Sequence, residues 1–80
     1  MAPRPTSVVL PGLRHWRIQR ALLQRELAER AGVDPRHVQR LEAGGRAGLD
    51  TVRRLAAALD VAPALLMQPV PDQRLPERGG

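Results

Sequence analysis

Apolar residues recur three and four positions apart along most of the chain, and each run predicts a short helix. Leu27, Ala28 and Ala31 share one helical face, and Val38 and Leu41 share another. Leu49, Val52, Leu55, Ala56 and Leu59 make the clearest amphipathic run, with Arg53 and Arg54 facing outward. Upstream, Leu13, Trp16 and Arg17 lie on one face of a helix from about Pro11 to Ala21. Downstream, Pro63 opens a short fifth helix to about Met67, in which Leu65, Leu66 and Met67 crowd together. The polar punctuation agrees with this reading. Gly32 stands where the second helix must stop, because glycine takes the left-handed conformation without a Cβ clash. Asp34 follows as a cap for the third helix, and Pro35 fits a first turn that needs no N–H. The second helix is expected over about Gln24 to Ala31, and the third over about Pro35 to Glu42.

The remaining segments lack periodicity. Met1 to about Leu10 reads as a flexible arm, and Ala43 to Gly48 as a flexible loop of small residues. From residue 69 onward, Pro69, Pro71, Pro76 and the closing glycines mark a flexible tail. The expected organisation is an arm over 1–10, one domain over 11–68 and a tail over 69–80, with an all-α, compact five-helix bundle as its fold.

Composition narrows the function classes. Eighty residues make one small domain, and a chain of that size buries only roughly 60–65% of the surface it exposes when unfolded. No cysteine is present, which excludes disulfides and thiolate sites and fits a cytoplasmic setting. No apolar run approaches the roughly 20 residues that span a bilayer, and the secretory pattern is missing, so no membrane association is expected. The one serine is Ser7, and His15 and His37 have no ligand partners at metal spacing. No catalytic set, cofactor or metal site is therefore expected. The formal net charge is +5, and all thirteen basic residues are arginine. Arginine suits phosphate and guanine, because its planar fork donates two parallel hydrogen bonds. The absence of lysine also fits the codon bias of a GC-rich genome, so position must identify the functional arginines. Arg17 is one, since it falls on a face that should be buried and there needs a charged partner.

The segments Q-x-x-L-A-x-x-A-G-V at Gln24 to Val33 and V-x-x-L-E at Val38 to Glu42, followed by Gly44, resemble the phage-repressor (Cro/CI-type, Xre) family of helix-turn-helix domains. The resemblance runs from about Leu13 to Leu66. It implies a lambda-repressor-like bundle that acts as a sequence-specific transcriptional regulator on double-stranded DNA. The third helix would lie in the major groove, with Arg36, His37, Gln39 and Arg40 reading bases. Gln24, Gly44 and Arg46 would contact phosphates, and Glu42 would partner Arg17. A homodimer would form through Leu65, Leu66 and Met67, with Val70 and Trp16 alongside, and Arg4 is a candidate for the minor groove. The competing function is a protein-interaction module on the same fold, such as an antitoxin or anti-repressor. Four positions depart from the family's pattern: Leu23 replaces a capping serine or threonine, Ala21 and Asp60 replace glycines, and Ala43 replaces an asparagine.

Overall fold

The computed structural model describes residues 6–70. The readings made for Arg4 and for residues 71–80 lie outside the described residues. Five helices and two short strands follow one another as β1 (Ser7–Val9), α1 (Leu13–Gln19), α2 (Gln24–Ala31), α3 (Pro35–Glu42), β2 (Arg46–Gly48), α4 (Leu49–Leu59) and α5 (Pro63–Met67). The helices lie where the apolar periodicity places them, although α1 is shorter at both ends.

The all-α expectation is corrected. β1 and β2 pair antiparallel, with Ser7 opposite Gly48, Val8 opposite Ala47 and Val9 opposite Arg46. Both strands fall in segments read from the sequence as irregular. The ladder is anchored by burial. Ala47 is buried in β2, and Leu10, just after β1, is buried too. Two residues so far apart in sequence leave no local signal of pairing.

Leu13, Leu27, Leu41, Leu55, Leu59 and Leu66 fill the core with Val38 and Val52. α2 packs on both α3 and α4, and the fully buried Ala28 is among the residues that α2 turns inward. α1 packs on α3 and α5. Trp16 is half-buried against this core, with its ring edge-on to His15 at a centroid distance of 5.0 Å. Two apolar expectations change. Leu49, expected on the inner face of α4, is 45% exposed, because it is the first residue of that helix and precedes the packed turns. Leu66, expected in an exposed dimer patch, is fully buried. Leu65 and Met67 beside it are half-buried, as is Val70.

Helices α1 to α4 end in the same pair of backbone hydrogen bonds. Past α2, Val33 N–H donates to Ala28 O at 2.9 Å and Gly32 N–H to Glu29 O at 3.3 Å. Past α3, Gly45 N–H donates to Arg40 O at 2.9 Å and Gly44 N–H to Leu41 O at 3.2 Å. Past α1, Leu22 N–H bonds Arg17 O and Ala21 N–H bonds Ile18 O; past α4, Val61 N–H bonds Ala56 O and Asp60 N–H bonds Ala57 O. These are Schellman closures, which require one residue in the left-handed region. Gly32 and Gly44 supply it at φ +72° and +107°, whereas Ala21 and Asp60 supply it with side chains at φ +56° and +58°.

Candidate nucleic-acid interface

The turn between α2 and α3 is built from local chemistry. Gly32 closes α2, and Asp34 Oδ1 accepts from Arg36 N–H at 2.8 Å to open α3. Val38 and Leu41 point α3 into the core. The opposite face then carries Arg36, Gln39 and Arg40 exposed, with His37 half-buried beside them. Arg40 Nη2 lies 3.1 Å from His37 Nδ1. Arg36 Nε stands 3.7 Å from Asp34 Oδ1 with both groups exposed. Such a solvated pair contributes little to stability and leaves Arg36 free to move. The four side chains expected to read bases thus share one surface. They border a hollow of about 450 Å³ lined by Asp34, Arg36, His37, Gln39 and Arg40.

Behind this surface sits a polar network. Arg17 Nε donates to Glu42 Oε2 at 2.6 Å, and Arg17 Nη2 donates to Glu42 Oε1 at 3.0 Å. Arg17 Nη1 also donates to Leu22 O at 2.8 Å, and Gln24 Nε2 donates to Glu42 Oε1 at 2.9 Å. One carboxylate therefore joins α1, the start of α2 and the end of α3. The Arg17 and Glu42 side chains keep only 12% and 6% of their surface exposed. The hydrogen bonds that Arg17 donates to Glu42 raise the Arg17 guanidinium pKa above its ordinary value, against the opposing effect of burial. Among the described residues, no buried side-chain polar atom is left without a partner.

The residues expected to hold phosphate are placed differently from one another. Gln24 is half-buried, and its amide is engaged with Glu42. The Gly44 N–H donates to Leu41 O at 3.2 Å in the closure of α3. Arg46 is exposed but tied to β1, donating from Nε to Ser7 Oγ at 3.1 Å and from Nη2 to Ser7 O at 2.8 Å.

Two further residues matter that the sequence reading did not assign. Arg20 donates from Nε to Leu59 O at 2.7 Å and from Nη2 to Asp60 O at 3.3 Å, and its guanidinium lies 5.9 Å from the Trp16 ring centroid. It binds the C-terminal carbonyls of a helix nearly forty residues away, which no local pattern signals. Leu23, at the start of α2, makes no side-chain cap and is 53% exposed. Glu26 Oε1 accepts from Leu23 N–H at 2.8 Å, so the acidic half of a capping box is present without its hydroxyl half. Its replacement of the usual serine or threonine was the available signal. Among the described residues, no group of three His, Cys, Asp or Glu side chains gathers as metal ligands, and no helix is long and apolar enough to cross a membrane.

A family model described as helix-turn-helix matches residues 13–66. The chain belongs to this family, the lambda-repressor-like (Xre) type of helix-turn-helix. Among solved structures, this helix-turn-helix domain is similar to the restriction-modification controller protein C.AhdI from Aeromonas hydrophila. The two are 36% identical with a TM-score of 0.66, over 68% of this chain and 83% of that one. It is also similar to the hypothetical transcription factor NHTF from Neisseria, at 32% identity and a TM-score of 0.67, over 72% of this chain and 66% of that one. No curated protein gives a significant match.

Proposed function

We infer that this helix-turn-helix protein is a transcriptional regulator that binds double-stranded DNA by inserting α3 into the major groove. One observation carries the reading: Arg36, His37, Gln39 and Arg40 share the outer face of a helix whose inner face is locked by Val38, Leu41 and the Arg17–Glu42–Gln24 network. A rigid helix with an exposed row of forked and amide donors suits the base edges of the major groove. Arginine pairs with guanine O6 and N7, and glutamine pairs with adenine N6 and N7. The similarity to a restriction-modification controller protein and a hypothetical transcription factor supports the same reading.

In this account Gln24 and Arg46 hold the phosphate backbone. Gln24 stands at the start of α2, where unpaired N–H groups and the helix dipole favour anions, and the Gln24–Glu42 bond fixes its amide. Arg46 is held in place by Ser7 of the paired strand. Arg46→Ala should weaken binding to all sequences alike and lower the slope of log K against log salt by about one unit. A changed base preference in that variant would contradict its assignment.

Two copies would read two half-sites roughly 34 Å apart. Leu66 belongs to the core, so the dimer contact is assigned to the half-buried Leu65, Met67 and Val70 with Trp16. The test is selection of bound duplexes from a random pool by the purified chain, followed by titration over a salt series. A recurrent, partly palindromic sequence bound above its scrambled form supports the reading. Equal, purely salt-dependent affinity for all duplexes would reject it.

A further inference from the structure

The start of α2 carries a feature that the arrangement of polar base-reading groups does not use. Leu23 is the most exposed of the large apolar side chains among the described residues. It gives α2 no side-chain cap, a position where serine, threonine, aspartate or asparagine would contribute stability. Its backbone N–H is already satisfied by Glu26. The leucine side chain therefore returns little to the fold.

Leu23 lies in a hollow of about 370 Å³, shared with Gln24, Arg25, Pro35, Arg36 and Gln39. The hollow opens between the first residues of α2 and those of α3. It adjoins the outer face of α3, since Arg36 and Gln39 line both hollows. Leu23 and Pro35 give it an apolar part, within a rim of groups suited to phosphate and base edges. The major groove of unmodified DNA offers one apolar group to such a surface, the C5-methyl of thymine.

We propose that Leu23, with Pro35, forms a thymine-methyl subsite that fixes one base of each half-site. The proposal rests on α3 occupying the major groove. It assigns specificity to a residue outside the recognition helix. Arg36 and Gln39 would hold polar edges while Leu23 excludes water from the neighbouring methyl group.

The test uses the full chain and the site selected from random duplexes. Each thymine of that site is replaced in turn by deoxyuridine, which removes only the methyl group. Binding is measured for the native chain and for Leu23→Ser. At one position per half-site, the native chain should lose about fourfold in affinity, the effect of one methyl group withdrawn from an apolar contact. Leu23→Ser should bind both versions of that position equally. Because serine is a favourable cap, the variant should melt no lower than the native chain, which separates loss of the subsite from loss of folding. Restoring the methyl on the other pyrimidine, as 5-methylcytosine in place of the thymine, should retain part of the native chain's preference. Specific binding with identical methyl responses in both proteins, or a selected site with no thymine dependence, would overturn the subsite alone. Absence of any sequence-specific binding would overturn the subsite together with the regulator reading.

Discussion

The ends of α2 and α3 and the ends of α1 and α4 close by the same hydrogen bonds but with different residues. Around the recognition unit the left-handed position is glycine, at Gly32 and Gly44. In the supporting helices it is Ala21 and Asp60. A side chain in the left-handed region costs roughly 1–2 kcal/mol, less for aspartate than for alanine. The recognition unit is thus locally relaxed, and the scaffold is locally strained. Arg20 explains how the strain is tolerated. It precedes Ala21 in the chain, and its guanidinium binds Leu59 O and Asp60 O at the end of α4. One cation thereby ties the two strained ends together and faces the negative end of the α4 dipole. Tertiary contact does in the scaffold what glycine does in the turn.

This contrast can be broken from either side. The largest effect is expected where the recognition unit joins the scaffold. Glu42→Ala leaves Arg17 largely buried without its carboxylate partner, and loss of one partner of a buried pair costs roughly 3–5 kcal/mol. Chemical denaturation measures this, and a double-mutant cycle with Arg17 should show strong coupling. Independent, additive losses would mean that the pair contributes nothing as a pair.

Gly32→Ala comes next. The Cβ would meet only the end of the Arg54 side chain at 3.6 Å, so the cost is conformational. It should be about 1–2 kcal/mol of destabilisation. A neutral outcome would show that the turn is no more relaxed than the scaffold.

The scaffold should respond in the opposite sense and more weakly. Ala21→Gly should stabilise by about 1 kcal/mol, and Asp60→Gly by a few tenths, because aspartate tolerates the left-handed region better. Thermal melts would read both as raised midpoints. Lower midpoints in both variants would show that entropy in the unfolded chain outweighs the strain relieved.

The same contrast explains which parts were legible in the sequence. The turn was readable because its signals are adjacent: Gly32, Asp34 and Pro35 act within three residues on either side. The apolar period placed the helices for the same reason. The β1–β2 ladder was not readable, since Ser7 and Gly48 pair across three intervening helices and no local pattern links them. Leu66 was misassigned because a crowded apolar run does not reveal which of its members faces inward. The family pattern marks Gly44 for phosphate but does not reveal that its N–H closes α3. Within the candidate interface, the outer face of α3 followed from helical periodicity alone. The hollow at Leu23 required two helix starts to be brought together.

The central claim is that the outer face of α3 reads bases. It is tested most directly by repeating the random-duplex selection with Arg36→Ala and with Arg40→Ala, scoring preference position by position. Each variant should lose preference for guanine at one distinct position of the half-site, by roughly 1–3 kcal/mol, with the other positions unchanged. Unaltered preference in both variants would contradict the claim.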